Sequence, residues 1–247
     1  MDNSRKDIHN SSIPLVCLSC EARHKGVCGA LSPEQLTKLS KHTNRFKVEN
    51  NKVISSPDED DKNFANILSG VVKLTKLMAD GRQQIVGLQF APDLIGRPFM
   101  KNSTVTAEAA TDINVCSFPK KILEELLKES PQMEHRLHEQ TLRELDDARD
   151  WLLTLGRKSA IEKIASFLYL IATHIDPEKN DGKDQITLEM PMKRGDIADF
   201  LGLTIETVSR QLTNLRKRNI IEIPDRRSIV IPSIKRLKNA MEQDLSK

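Results

Sequence analysis

Residues 194–212 have the sequence RGDIADFLGLTIETVSRQL, the pattern of two short helices joined by a tight turn. The first helix is predicted to pack through Ile197, Ala198 and Leu201, since the small Ala198 lets a second helix cross closely. Gly202 suits a left-handed turn because it has no Cβ, and Thr204 can cap the second helix. Four apolar residues are predicted to form the inward face of that helix: Ile205, Val208, Leu212 and Leu215. The stretch therefore predicts a helix-turn-helix.

Three polar residues of the second helix are predicted to project outward near its N-terminus, where recognition helices meet base edges: Glu206, Ser209 and Arg210. A carboxylate can accept a hydrogen bond from cytosine N4, a serine hydroxyl suits several bases, and a guanidinium can donate two hydrogen bonds to guanine. The alternative is an i,i+4 surface ion pair between Glu206 and Arg210, worth roughly 0.2–0.5 kcal/mol.

Basic charge is concentrated at this end of the chain. Residues 191–247 contain 12 Lys and Arg against 7 Asp and Glu, whereas the whole chain carries a net charge of only +3. Ile220–Pro224 and Ser228–Ile231 are predicted to form a two-stranded wing with a basic tip at residues 225–227. Six cations are predicted to contact DNA phosphates on either side of the groove: Lys193, Arg194, Arg216, Arg218, Arg226 and Arg227.

The chain has four cysteines. Cys17, Cys20 and Cys28 form a C-x2-C-x7-C pattern near the N-terminus, and Cys116 lies further along the chain. Four thiolates are a complete ligand set for a [4Fe-4S] cluster or a structural zinc ion. Structural zinc sites usually take two close pairs of ligands, so the three-plus-one layout favours the cluster and leaves zinc as the alternative. His24 lies between the cysteines and is predicted to be solvated rather than a ligand.

Other uses of the cysteines are less favoured. Residues 1–7 are polar and no apolar signal segment follows, so we expect a reducing, cytoplasmic location in which disulfides are rare. A dithiol redox pair at Cys17 and Cys20 would need a βαβ pattern nearby, and none precedes it. Cys116 by itself could equally be a small buried hydrophobe.

Between the cysteines and the helix-turn-helix, the sequence changes from strands to helices. Six β-rich runs separated by turn signals predict a small barrel or jelly roll over residues 45–118: 53–55, 64–68, 71–77, 84–90, 105–109 and 113–118. Ser32 and Pro33 begin a short helix, Lys120–Leu127 is another, and a long helix runs from Pro131 to Leu155. The long helix has a periodic seam of the kind that pairs two helices: Thr141, Leu145, Ala148, Leu152 and Leu155. We predict that this helix pairs with the same helix of a second chain and so forms a dimer. The alternative is that it packs against the barrel of its own chain.

Composition and motifs argue against two classes of protein. No stretch approaches the roughly 20 apolar residues of a membrane-spanning helix. Nucleotide-binding, zinc-protease and nucleophile-elbow motifs are missing, so an enzyme, for instance an iron-sulfur or thiol oxidoreductase, is only an alternative to a DNA-binding regulator.

The helix-turn-helix from Asp196 to Arg210, together with the cysteine pattern, resembles the fumarate and nitrate reductase regulator (FNR) family of the CRP/FNR superfamily. The seven-residue gap between Cys20 and Cys28 is similar to that of the branch called FnrN. The resemblance implies an α+β fold with a cyclic-nucleotide-binding-like β-roll, a long dimerisation helix and a C-terminal winged helix-turn-helix. The expected domains are residues 1–30 for cluster binding, 31–130 for the β-roll, 131–158 for the dimerisation helix and 159–247 for DNA binding.

The resemblance also implies a function. It implies a [4Fe-4S] cluster on Cys17, Cys20, Cys28 and Cys116 that oxygen degrades, with loss of an active homodimer that activates transcription with RNA polymerase. A palindromic site of the type TTGAT-N4-ATCAA is expected in double-stranded DNA, and Asp150 is expected to oppose dimerisation in air. A related receptor of the cyclic-AMP type, with a different effector, is the alternative. The Gly96–Arg97 region lacks the paired Arg and Ser or Thr that hold a cyclic phosphate, so no cyclic nucleotide is expected.

Overall fold

A computed structural model describes residues 13–18, 20–57, 60, 62–175, 184–225 and 227–242 of the protein. The chain divides into two compact units. The first contains residues 1–75 and 88–145, and the second contains residues 76–87 and 146–247.

Residues 44–119 form two four-stranded sheets of antiparallel strands, ordered β1-β8-β3-β6 and β2-β7-β4-β5, and all of these strands lie in the first unit except the parts of β4 and β5 within residues 76–87. The strands are β1 Asn44–Val48, β2 Val53–Ser55, β3 Asn63–Ser69, β4 Val71–Leu77, β5 Gln83–Phe90, β6 Leu94–Ile95, β7 Thr106–Ala109 and β8 Ile113–Pro119. All six predicted strands are present. β1 and β6 were not predicted, because β1 is a polar strand at a sheet edge and β6 has only two residues.

Side chains alternate between two cores along the strands. On β3, Ala65 and Ile67 face the inner core between the sheets, whereas Phe64 faces an outer core that helices cover. Gly70 joins β3 to β4 at φ +91, and a Cβ there would lie 2.6 Å from the carbonyl oxygen of Asp112. Glycine is therefore required at this turn.

Short helices cover the outer face of the first sheet: α1 Leu15–Leu18, α2 Glu21–Lys25, a 3-10 helix Val27–Ala30, α3 Pro33–Ser40 and α4 Lys120–Glu129. A reciprocal capping box between Ser32 and Gln35 begins α3, as the Ser-Pro sequence predicted. The next helix, α5 Pro131–Arg157, contributes the fully buried Met133 to the same outer core.

Helix α5 is long and exposed through its middle. All ten residues from 141 to 150 are exposed, and so are the apolar side chains of Leu142, Leu145, Leu152 and Leu153. Among the described residues, no helix is both long and apolar enough to cross a membrane.

The second unit contains α6 Ala160–His174, α7 Arg194–Leu201, α8 Ile205–Lys217 and α9 Ile234–Ala240, with strands β9 Ile186–Glu189 and β10 Ser228–Ile231. Ser159 and Glu162 form a capping box at the start of α6. The side chains of Ile197, Ala198, Phe200 and Leu201 on α7 are buried, as are Phe167 and Ile171 on α6. The architecture confirms the predicted fold class of β-sheet domain, long helix and helix-turn-helix.

The wing differs from its prediction. Strand β10 pairs in register with β9, which precedes the helix-turn-helix and was not predicted. The predicted partner, Ile220–Pro224, forms no strand and meets β10 only through a bridge between Glu222 and Val230. Ile220 and Ile221 are both buried instead of alternating between faces, and Pro224 has no N–H for a ladder.

Candidate nucleic-acid interface and candidate metal centre

The turn between α7 and α8 has the geometry that the sequence predicted. Gly202 is left-handed, with φ 62 and ψ 43, and its N–H donates to the carbonyl oxygen of Ala198. The hydroxyl of Thr204 accepts a hydrogen bond from the N–H of Thr207 at 3.2 Å and so caps α8. This turn sets the angle at which α8 crosses α7.

Helix α8 presents one apolar face to the core, with a correction at its first residue. Val208, Leu212 and Leu215 are buried, whereas Ile205 is 52% exposed and was wrongly predicted to face inward. Helical side chains lean toward the N-terminus, so a residue at the first position extends beyond the helix and away from its packing partner.

The three predicted base-contacting residues lie on the outer side of α8. Glu206 and Arg210 are exposed, and Ser209 is half-buried. Hydrogen bonds from its own backbone N–H and from the Thr204 hydroxyl lower the pKa of the Glu206 carboxyl. The ion pairs of the described residues include none between Glu206 and Arg210; Arg210 donates instead to the hydroxyl of Thr207 at 3.3 Å.

One contact in this region was not predicted. Nη1 of Arg194, at the start of α7, donates to Oγ of Ser209 at 2.9 Å. The two residues are 15 positions apart, so only the crossing of α7 over α8 brings them together. Arg194 therefore contacts a predicted base-contacting residue as well as lying among the predicted phosphate contacts.

Five of the six predicted phosphate contacts are exposed cations on the helix-turn-helix and the wing. Lys193 and Arg194 are at the start of α7, Arg216 and Arg218 are at the end of α8, and Arg227 is at the wing tip. Asp225 orders that tip by accepting from the N–H groups of Arg227 and Ser228, at 2.7 and 2.8 Å. Arg226, the sixth predicted phosphate contact, lies outside the described residues.

The four cysteines come together in the first unit. Cys17 lies on α1, Cys20 follows that helix, Cys28 lies on the 3-10 helix and Cys116 lies on β8. All four are free thiols. The pKa of the Cys28 thiol is raised to about 12, mainly by burial. The hydrogen bond from Asn66 lowers this pKa, whereas repulsion from the other three cysteines raises it further. The thiols are thus near enough to interact electrostatically.

Two polar side chains flank these thiols in one row across the sheet. Arg45 on β1 and Asn66 on β3 both lie directly opposite Cys116 on β8. Nδ2 of Asn66 donates to Sγ of Cys28 at 3.2 Å. Burial raises the pKa of the Cys116 thiol, while the positive charge of Arg45 and its hydrogen bond to the sulfur lower it. Neither residue was predicted, because the row exists only once the three strands are paired.

The cysteine loop, residues 20–28, is also fastened to helix α5. Nη1 of Arg136 donates to the backbone oxygens of Gly26 and His24, at 3.1 and 3.3 Å. Met133, one turn earlier on α5, packs in the same core as Val27 and Cys28. The start of α5 is therefore in direct contact with the loop that carries the cysteines.

A cavity of about 500 Å³ opens within the β-sheet domain. Its lining includes Phe46, Ile54, Lys62, Asn63 and Gly96. Arg97 is exposed and is not part of that lining.

Two family models match this chain. The family model described as "Cyclic nucleotide-binding domain" matches residues 45–130, and that of the "Crp-like helix-turn-helix domain" matches residues 162–240. A "Probable transcriptional activator" of Rhizobium leguminosarum bv. viciae is 50% identical, over 96% of this chain and 98% of its own. The "Transcriptional activator protein FnrL" of Cereibacter sphaeroides is 38% identical, over 90% of each. This chain belongs to the FNR branch of the CRP/FNR family.

A solved member of the CRP/FNR family supports the fold. The structure of FixK2 from Bradyrhizobium japonicum is 32% identical, with a TM-score of 0.71, over 80% of this chain and 96% of that one. The FNR-branch protein described here is accordingly a transcriptional activator of the FNR/FixK type with a DNA-binding helix-turn-helix. Both of the relatives named above are described as transcriptional activators.

Proposed function

We propose that this protein is an oxygen-responsive transcriptional activator whose homodimer, and hence its DNA binding, depends on a [4Fe-4S] cluster bound by Cys17, Cys20, Cys28 and Cys116. The observation that carries the proposal is the convergence of four free thiols, of which Cys17 and Cys28 pack in the same core as Met133 at the start of α5. When bound, such a cluster supplies an oxygen-labile centre at that point.

Four free cysteine thiols are a complete ligand set for a [4Fe-4S] cluster. A structural zinc ion needs four sulfurs about 2.3 Å from one centre, whereas each thiolate of a [4Fe-4S] cluster binds a different iron. Among the described residues, no three His, Cys, Asp or Glu side chains are arranged to hold a single metal ion. The other cysteines are nonetheless among the causes that raise the pKa of the Cys17 and Cys28 thiols, which supports a site shared by all four.

Arg136 and Met133 provide the physical link from the cysteine loop to dimerisation. Ligation of Cys20 and Cys28 would hold the loop between them, and this loop supplies the carbonyl oxygens that Arg136 binds and the core side chains around Met133. An ordered loop would thus order the first turns of α5. Loss of the ligand set would free the loop and weaken that support.

The middle of α5 is the proposed dimer surface. Its exposed leucines, Leu142, Leu145, Leu152 and Leu153, would be buried by a second copy of the helix. Asp147 and Asp150 are also exposed there, and pairing would bring their like charges together. Asp150→Ala should therefore favour the dimer, and sedimentation in air should show more of it than for the parent, with Glu134→Ala, an exposed carboxylate of the same helix outside the leucine-bearing stretch, as the control. A variant as monomeric as the parent would contradict this role of Asp150.

DNA recognition by the dimer would place one α8 helix in each half-site, about one helical turn apart. Binding would require Ser209 to exchange its contact with Arg194, and Arg210 its contact with Thr207, for base edges. The proposed site is TTGAT-N4-ATCAA, with Arg210 on the guanine and Glu206 on the opposite strand. RNA polymerase is the proposed partner at the promoter.

The test is a comparison of protein purified without air with the same protein after exposure to air. The anaerobic protein should contain about four iron and four sulfide per chain and shift a TTGAT-N4-ATCAA fragment as a dimer. Cys116→Ser should lose the iron and the shift, whereas Ser117→Ala, the neighbouring position on β8, should keep both. Stoichiometric zinc without visible absorption would overturn the proposal.

A further inference from the structure

Asn66 has a buried amide whose only hydrogen bond among the described residues is with a predicted ligand sulfur. It is 5% exposed, and its Nδ2 lies 3.2 Å from Sγ of Cys28. Its Oδ1 is buried and has no hydrogen-bond partner among the described residues. A leucine would fill this position without leaving a buried carbonyl unsatisfied. Core packing alone therefore does not explain an amide here.

The orientation of the amide agrees with a metal-bound sulfur. A free thiol can either donate or accept a hydrogen bond, so it would tolerate either end of the amide. A thiolate bound to iron has no proton and can only accept. The N–H, not the carbonyl, faces Cys28.

We propose that Asn66 is a positioning residue for the iron-sulfur cluster, donating a hydrogen bond to the Cys28 sulfur that raises the cluster's reduction potential and slows its loss in oxygen. The inference rests on the proposed cluster. Hydrogen bonds to cluster sulfurs are one of the factors that set the reduction potential, because they stabilise the more negative, reduced state. Burial of Asn66 makes the effect stronger than that of a solvent-exposed donor.

The test compares Asn66→Leu, which removes the donor, with Asn66→His, which keeps an N–H at the same position. Asn114→Leu is the matched control, since Asn114 is exposed on β8 and bonds Ser69 rather than a cysteine. The midpoint potential of the cluster is measured in all four proteins, together with the lifetime of its visible absorption in air. Asn66→Leu should shift the ratio of oxidised to reduced cluster about tenfold at fixed potential, equivalent to lowering the midpoint by about 59 mV for a one-electron couple. Its absorption should decay faster, while Asn66→His and Asn114→Leu should stay near the parent.

Each other outcome also decides the question. Loss of the cluster in Asn66→Leu with recovery in Asn66→His would support N–H donation, whereas loss in both would overturn it in favour of packing. Unchanged potential and lifetime in Asn66→Leu would overturn the role of Asn66 and leave the proposed function intact. A parent protein that binds no iron or sulfide would overturn both.

Discussion

Arg136 offers a direct test of the contact between the cysteine loop and helix α5. We predict that Arg136→Met makes the loop open more often, because Gly26 and His24 lose the donor to their backbone oxygens while the methionine retains most of the packing of the arginine stem. A hydrogen bond from a charged donor contributes about 1.5–3 kcal/mol. The two bonds share one nitrogen of a half-buried side chain, so we take about 2 kcal/mol for both together.

That loss corresponds to about a 30-fold increase in the open population, at about 1.4 kcal/mol per tenfold change. Native-state hydrogen exchange measures it at the amides of Gly29 and Leu31, which bond the oxygens of Gly26 and Cys28 at 3.1 and 3.2 Å. Arg143→Met is the control, because Arg143 lies on the same helix and is exposed. Equal exchange in the two variants, or an increase spread evenly over the whole β-sheet domain, would refute a specific contact between loop and helix.

Five further substitutions test other parts of the structure. Gly29→Ala should displace Arg136, because a Cβ at residue 29 would collide with the Arg136 guanidinium and lie 2.6 Å from the backbone oxygen of Arg23. Hydrogen exchange in the cysteine loop should therefore be faster than in the parent. Unchanged exchange would contradict the close packing of Gly29 against Arg136. Gly202→Ala should lower the free energy of unfolding by about 1–2 kcal/mol through backbone strain alone, since nothing lies within 4 Å of its Cβ. Urea unfolding should show the opposite sign for Gly156→Ala, a helical position that is equally open. Arg210→Ala should lose the preference for guanine, which is worth about 1–3 kcal/mol. Arg216→Ala should instead weaken binding to all sequences and reduce the salt dependence of binding. An intact base preference in Arg210→Ala would make Arg210 a phosphate contact or a structural residue.

Local sequence was enough to predict the elements whose causes are local. The Ser32 and Thr204 caps, the left-handed Gly202 and six of the eight strands of the two four-stranded sheets were all correctly predicted, because each depends on residues a few positions apart. The buried residues of α8 were predicted for the same reason, except at Ile205. Ile205 is the first residue of the helix, where no preceding helical turn lies beside the side chain, so helical periodicity does not predict its burial.

The pairings that form the two sites depend on the tertiary structure. Strand β10 pairs with β9 rather than with Ile220–Pro224. Both are short apolar runs, and no local sequence pattern shows which of them will be the partner. The row of Arg45, Cys116 and Asn66 requires β1, β8 and β3 to pair in one register, because a shift by one residue would turn these side chains to the opposite face. The contacts of Arg136 with the cysteine loop and of Arg194 with Ser209 join residues that are distant in sequence. The cysteine spacing and the helix-turn-helix pattern thus predict the candidate ligands and the candidate base-contacting residues. Packing between segments that are distant in sequence determines which other side chains contact and position them.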